Sequence, residues 1–95
     1  MTPPQKYVLR LYVTGLTPRS TRAIGTVRSV CEEHLAGHYE LEIIDVYQQP
    51  NRSSEDQIVA IPTLVKCSPQ PQRLIIGDMS DRNRLLLGLG LPLDS

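Results

Sequence analysis

From Tyr7 to Val13 the chain alternates, with Tyr7, Leu9, Leu11 and Val13 on one side and Val8, Arg10 and Tyr12 on the other, the period of a largely buried strand. Thr14-Gly15 breaks that period. Ala23, Ile24, Val27, Val30, Cys31 and Leu35 then recur three and four residues apart, which predicts a helix with one core-facing stripe. Thr17 stands where a hydroxyl caps such a helix, and Pro18 where the missing N–H is not needed. Gly37 is expected to close it, since only glycine enters the left-handed region without a steric penalty. Tyr39 to Tyr47 reads as a second strand. Strand, long helix and strand predict a parallel pair joined by a right-handed crossover.

The second half is punctuated more often. Gln48 to Ser54 is polar and contains Pro50, and Ser54 is expected to cap a short helix with Gln57 in the reciprocal position. Glu55 and Asp56 suit the positive end of its dipole. Ile61-Pro62-Thr63 stops this helix. Thr63 to Cys67 and Arg73 to Ile76, separated by Pro69 and Pro71, predict a hairpin, and Ser80 is expected to start a last helix near Asp81. The simple order is βαβαββα.

The end of the chain carries two patterns on the same residues. Leu85, Leu86 and Leu89 sit at helical spacing, while Leu87, Leu89, Leu91 and Leu93 alternate like a strand. Gly88 and Gly90 each cost a helix about 1 kcal/mol relative to alanine, and Pro92 opposes its continuation. Local preference does not choose between them. Such a conflict marks a segment able to pack in two ways when their free energies differ by a few kcal/mol.

Composition narrows the function classes. The 95 residues make a single domain, 1–95, with a modest core, and the absence of Trp and Phe makes that core aliphatic. Ten basic and ten acidic residues cancel, so no broad positive field exists to hold nucleic acid or an anionic membrane. No apolar run reaches the length of a membrane span, and a cytoplasmic protein is expected. Cys31 and Cys67 lie far apart and are expected to be free thiols, as in a reducing compartment.

Candidate chemistry is sparse. Thr17-Pro18-Arg19-Ser20 opens a helix after a strand, where a thioredoxin-like protein carries its redox cysteine pair, and neither Thr17 nor Ser20 supplies a thiolate. Cys31, His34 and His38 resemble zinc ligands in spacing, but Cys31 belongs to the core stripe and Gly37 breaks the helix before His38. Gly88-Leu89-Gly90 follows no strand that opens into a helix, so it is not a nucleotide loop. Asp45, Glu55, Asp56 and Asp78 have no spacing that unites two of them around a substrate. Arg19 and Arg22 near a helix start read as a solvated face. Pro62 stands where a thioredoxin-like fold places a cis-proline beside its functional edge. No catalytic residue, cofactor or metal is expected.

Across nearly its whole length the chain resembles the KaiB family of cyanobacterial circadian-clock proteins. The resemblance rests on Tyr7-Val8-Leu9-Arg10-Leu11-Tyr12-Val13, Ile44-Asp45-Val46, Pro62-Thr63-Leu64 and Ile75-Ile76-Gly77-Asp78-Met79-Ser80-Asp81-Arg82. It implies an α/β, thioredoxin-related, non-enzymatic module whose βαβ first half, 7–50, is stable. The second half, 51–93, would take either a commonly tetrameric ground-state fold, βαββααβ, or a monomeric thioredoxin-like fold, βαβαββα. The latter form binds the KaiC ATPase ring, displaces the sensor domain of the kinase SasA and recruits KaiA. By the same resemblance Arg10, Glu42, Gln57, Lys66 and Arg73 are partner-binding positions, and Pro62, Gly88 and Gly90 are fold-switch positions. Glu42 and Gln57 stand where the family usually has lysine, and Gly90 where it has aspartate. The acidic tail of many relatives does not follow Asp94-Ser95 in this sequence. Alternative readings are a SasA-like interaction module that does not switch folds, and a degenerate thiol oxidoreductase.

Overall fold

The alternation at the start of the chain becomes a central strand because both of its faces are covered. The computed structural model describes residues 6–15, 17–55, 57–58, 60–77 and 79–93. Asp56, Asp78, Asp94 and Ser95, which entered the sequence reading, lie outside the described residues. The elements are β1 (Tyr7–Val13), α1 (Pro18–His34), β2 (Tyr39–Asp45), α2 (Pro50–Glu55), β3 (Thr63–Ser68), β4 (Arg73–Ile76) and α3 (Arg82–Leu89). This is the βαβαββα order, and the four-stranded sheet runs β2-β1-β3-β4. β1 and β2 are parallel, from Tyr7 opposite Tyr39 to Val13 opposite Asp45. β3 is antiparallel to β1, with an irregularity between Val8 and Leu9, and β4 is antiparallel to β3.

Each face of β1 builds its own core. Leu9, Leu11 and Val13 pack with Ala23, Val27, Val30 and Cys31 of α1, Leu64 of β3, and Leu85, Leu86 and Leu89 of α3. On the other face Tyr12, Ile44 and Val65 form a smaller cluster with Val46, Ile58, Ile61 and Cys67. The α1 stripe read from the sequence is therefore real, and Ser20, 1% exposed, extends it.

Several boundaries differ from the sequence expectation. α2 begins at Pro50, whose fixed φ suits a first helical position. Ser54 falls in its last turn, and Gln57 lies beyond it at φ 56, so no capping box joins them. α1 ends at His34 with Leu35 as its cap residue, and Gly37, at φ 79, serves the turn into β2. β2 stops at Asp45, whose carbonyl accepts the Gln48 and Gln49 N–H groups in a turn. α3 is capped by Asp81, whose side chain accepts the Arg84 N–H, and Ser80 precedes the cap.

At the end of the chain the helical pattern prevails. Gly90 at φ 73 lets its N–H reach the Leu87 carbonyl while the Leu91 N–H reaches Leu86, which is the Schellman arrangement. Three of the leucines at helical spacing, Leu85, Leu86 and Leu89, are buried, whereas Leu87 is exposed. α3 is tied to the first half by the Tyr7 hydroxyl, which donates to the Leu89 carbonyl, and by Arg82, which pairs with Glu33 and donates to Ser29 Oγ.

Candidate functional site

The helix start that carries a redox pair in thioredoxin-like proteins is a hydroxyl cluster here. Thr17 Oγ1 accepts the Ser20 N–H at 3.2 Å and donates to Ser20 Oγ at 2.9 Å. Ser20 Oγ accepts the Thr14 N–H at 3.1 Å and donates to the Thr14 carbonyl. These bonds tie the end of β1 to α1 and satisfy groups that the buried helix start would otherwise leave unpaired. The arrangement anchors the chain and supplies no nucleophile.

Both cysteines are free thiols. Cys31 is fully buried, and burial, with the charge of Glu32 second, pushes its pKa up from 9.0 to about 11. The folded thiol thus holds its proton more tightly than the unfolded one. Its contribution to stability is present below pH 9.0 and is lost as pH rises toward about 11. Alkylation below pH 9.0 is expected to label Cys67, which is partly exposed, and to reach Cys31 only after unfolding. Mass spectrometry checks this, and rapid double labelling of the native protein refutes it. His34 ends α1 and His38 lies in the following turn, while Cys31 points into the core.

The other face of the sheet carries α2. Tyr12 is fully buried, yet its hydroxyl donates to the Arg52 carbonyl at 3.0 Å, so the central strand holds the short helix in place. Arg52 grips Glu42 of β2 with both guanidinium arms, at 2.9 and 2.8 Å, and its Nε lies 3.5 Å from Glu55. Such a planar two-point contact fixes orientation better than a single ion pair. The hydrogen bond to Glu42 is the first cause of a raised Arg52 pKa. Glu42 thus acts as a tether, where a cation at the same position would repel Arg52. Glu42→Lys is expected to speed amide exchange in α2 a few-fold with little change in α1, since the pair is partly exposed and local to α2 and β2. Unchanged α2 exchange would show that Tyr12 holds the helix unaided.

The candidate positions do not form one patch. Arg10 lies opposite Glu42 in the β1–β2 register, on the α2 side of the sheet. Gln57 borders a shallow groove there with Glu55, Gln72 and Leu74. Lys66 lies opposite Leu9 and Arg73, which puts it on the α1–α3 side, 5% exposed beside an exposed Arg73. No flat partner can touch all of these positions at once.

Pro62, Gly88 and Gly90, expected from the resemblance to take part in a fold switch, lie apart from one another. The Ile61–Pro62 bond is cis, and the Pro62 carbonyl accepts the Gly77 N–H at 3.0 Å. Gly88 lies so close to β4 that a Cβ there would come within 2.5 Å of Ile75 Cγ1. Gly90 caps α3. Sequence reasoning missed Arg52, for which no signal existed, and the exposed Leu74 and Ile76, whose alternation within β4 was available.

A parallel βαβ half, a cis-proline before β3 and a helix start without cysteines define a thioredoxin-fold protein lacking the redox centre. Solved structures agree. The N-terminal domain of Synechococcus elongatus SasA superposes with a TM-score of 0.73 at 26% identity, covering 95% of this chain and 89% of that one. The germline-specific thioredoxin Deadhead from Drosophila melanogaster reaches 0.73 at 15% identity, covering 90% and 80%, and speaks for the fold alone. The KaiB domain family model matches residues 10–91, and the chain belongs to the KaiB family. It is 52% identical over 91 residues to a circadian clock oscillator protein KaiB of Synechococcus sp. (strain RCC307), covering 96% of this chain and 83% of the relative. A Prochlorococcus marinus (strain MIT 9303) protein of the same name is 50% identical over 94 residues, covering 99% and 79%. The chain is accordingly a clock-type regulator and not a thiol oxidoreductase. No helix among the described residues is long and apolar enough to cross a membrane.

Proposed function

We infer that this chain regulates a clock by binding a KaiC-family ATPase ring as a monomer in the thioredoxin-like form, presenting the α2 face. The observation that carries this reading is the tethering of α2, a short helix held by Tyr12 and by the Glu42–Arg52 bridge on a surface bordered by Arg10 and Gln57. A tethered helix beside a charged sheet face is suited to protein recognition. The βαβαββα order supports the ring-binding form, which the resemblance assigns to that order.

In this reading 7–50 is the stable half and 51–93 repacks, giving a cytoplasmic tetramer that exchanges with the binding monomer. Competition with a SasA-type kinase follows from the shared fold, and recruitment of a KaiA-type partner completes the proposed cycle. With Glu42 in place of lysine, the ring surface facing it needs a cation or a neutral group where other family members would meet an acid. Lys66 and Arg73, on the other side, are left for a different contact.

The test is size measurement with and without a purified KaiC-family ring. The expected result is a free oligomer that becomes a ring-bound monomer, with association that is slow and independent of ring concentration at saturation. Fast, concentration-dependent association of a monomer would favour the alternative of an interaction module without fold switching. Absence of binding, together with a single non-exchanging NMR species, would overturn the reading.

A further inference from the structure

The β4 edge is the one part of the second half whose main chain, side chains and charge all point to the same kind of ligand. The Gly77 N–H donates to the Pro62 carbonyl, so the bonded pairs of this ladder are those in step with it, Ile75 with Leu64 and Arg73 with Lys66. The main-chain groups of Leu74 and Ile76 therefore face away from β3. Arg84 Nη2, reaching from α3 to donate to the Ile76 carbonyl at 2.9 Å, confirms that direction. Leu74 N–H, Leu74 C=O and Ile76 N–H remain as an open edge.

The side chains along this edge are sorted by face. Leu74 and Ile76, 44% and 38% exposed, lie on the α2 side, in register with Val65 and Thr63. Arg73 and Ile75 lie on the α1–α3 side, where Ile75, Arg84 and Gly88 line a groove that runs along β4. Among the described residues Lys6, Arg52 and Arg82 are paired with carboxylates, whereas Arg73 and Arg84 have no ion-pair partner. Two cations without an ion-pair partner thus flank an apolar edge, and among the described residues no acid lines the groove.

The geometry points to strand addition on β4 by an extended segment of an acidic protein partner whose residues alternate between apolar and carboxylate. Its apolar side chains lie beside Leu74 and Ile76, and its carboxylates face Arg73 and Arg84. The Ile76 carbonyl has a second lone pair, so Arg84 stays bonded while an incoming N–H shares the oxygen. Main-chain bonds supply affinity and the alternating side chains supply specificity. The edge shares Leu74 with the groove beside Gln57, but its test reads β4 amides against peptides with no ring present, so failure of ring binding does not bear on it.

The experiment is NMR titration of the isotope-labelled chain with a short capped peptide of alternating valine and glutamate, against its valine–lysine counterpart. Saturable shifts of the Leu74 and Ile76 amides are expected with the glutamate peptide, and binding roughly tenfold weaker with the lysine peptide, from two ion pairs turned into repulsions. Leu74→Pro removes an outward N–H without touching the β3 ladder and is expected to abolish the Ile76 shift while the rest of the spectrum is kept. Arg73→Glu combined with Arg84→Glu is expected to reverse the peptide preference, and if that variant misfolds the proline variant still decides. No shift, equal shifts with both peptides, or shifts confined to β2 or α2 would overturn the proposal. So would Ile76 protection that rises with protein concentration alone, because the edge would then belong to a second copy of this chain.

Discussion

Leu89→Ala is expected to lower stability by about 2–5 kcal/mol, the cost of truncating a leucine whose neighbours cannot close the gap. Leu89 is fully buried between α3 and the sheet, in the core that also holds Leu9, Leu11 and Val27. The more informative readout is where the loss appears. If 51–93 repacks as a unit on a stable 7–50 half, Leu89→Ala speeds native-state amide exchange in α3 and β4 while α1 and the β1–β2 pair keep their protection. Val27→Ala, which cuts into α1, instead speeds exchange in both halves, because the second half has no other surface on which to pack. Uniform acceleration by both variants would mean one cooperative unit and would remove the division at residue 50.

Gly90→Val is the second large effect. At φ 73 a residue with a Cβ costs about 1–2 kcal/mol, and a β-branched one fits the left-handed region worst. The substitution also strains the Schellman bonds from Gly90 to Leu87 and from Leu91 to Leu86. Valine favours extended backbone, so it strengthens the competing alternation of Leu87, Leu89, Leu91 and Leu93. Loss of helical chemical shifts in α3 is expected, with new slowly exchanging peaks where the strand form becomes populated. If the thioredoxin-like form binds the ring, affinity falls roughly tenfold for each 1.4 kcal/mol of that shift. Gly90→Asn, which tolerates the left-handed region better, is expected to do much less. A Gly90→Val protein with unchanged stability and helical α3 would refute this account of the helix end.

How much of the molecule was legible depended on whether neighbours in sequence or neighbours in space set the conformation. β1 was read to the residue because its two sides alternate and each carries core residues, Leu9, Leu11 and Val13 on one and Tyr12 on the other. α1 was read because one stripe of six aliphatic or small positions has no competing period, and because Thr17 and Pro18 mark its start. α2 was displaced by several residues because its polar sequence holds two plausible starts. Tyr12 and Glu42, distant in sequence, hold the one that begins at Pro50. The candidate site fared less well. Arg10, Glu42, Gln57, Lys66 and Arg73 came from family resemblance, which says nothing about which side of a sheet each faces, and the ladder registers divide them.

The amino-acid order alone determined the βαβ first half, the hairpin and the absence of a redox pair at the first helix, because period, capping and composition are properties of short stretches. It left 84–93 with two patterns of comparable merit. Tertiary structure resolved that conflict: Leu85, Leu86 and Leu89 fill the core above β1, and Gly88 lets α3 approach Ile75 where any side chain would collide. Burial of those leucines, at about 1.5–3 kcal/mol each, outweighs the roughly 1 kcal/mol that each glycine costs the helix. That surface exists only once β1, β3 and α1 have assembled.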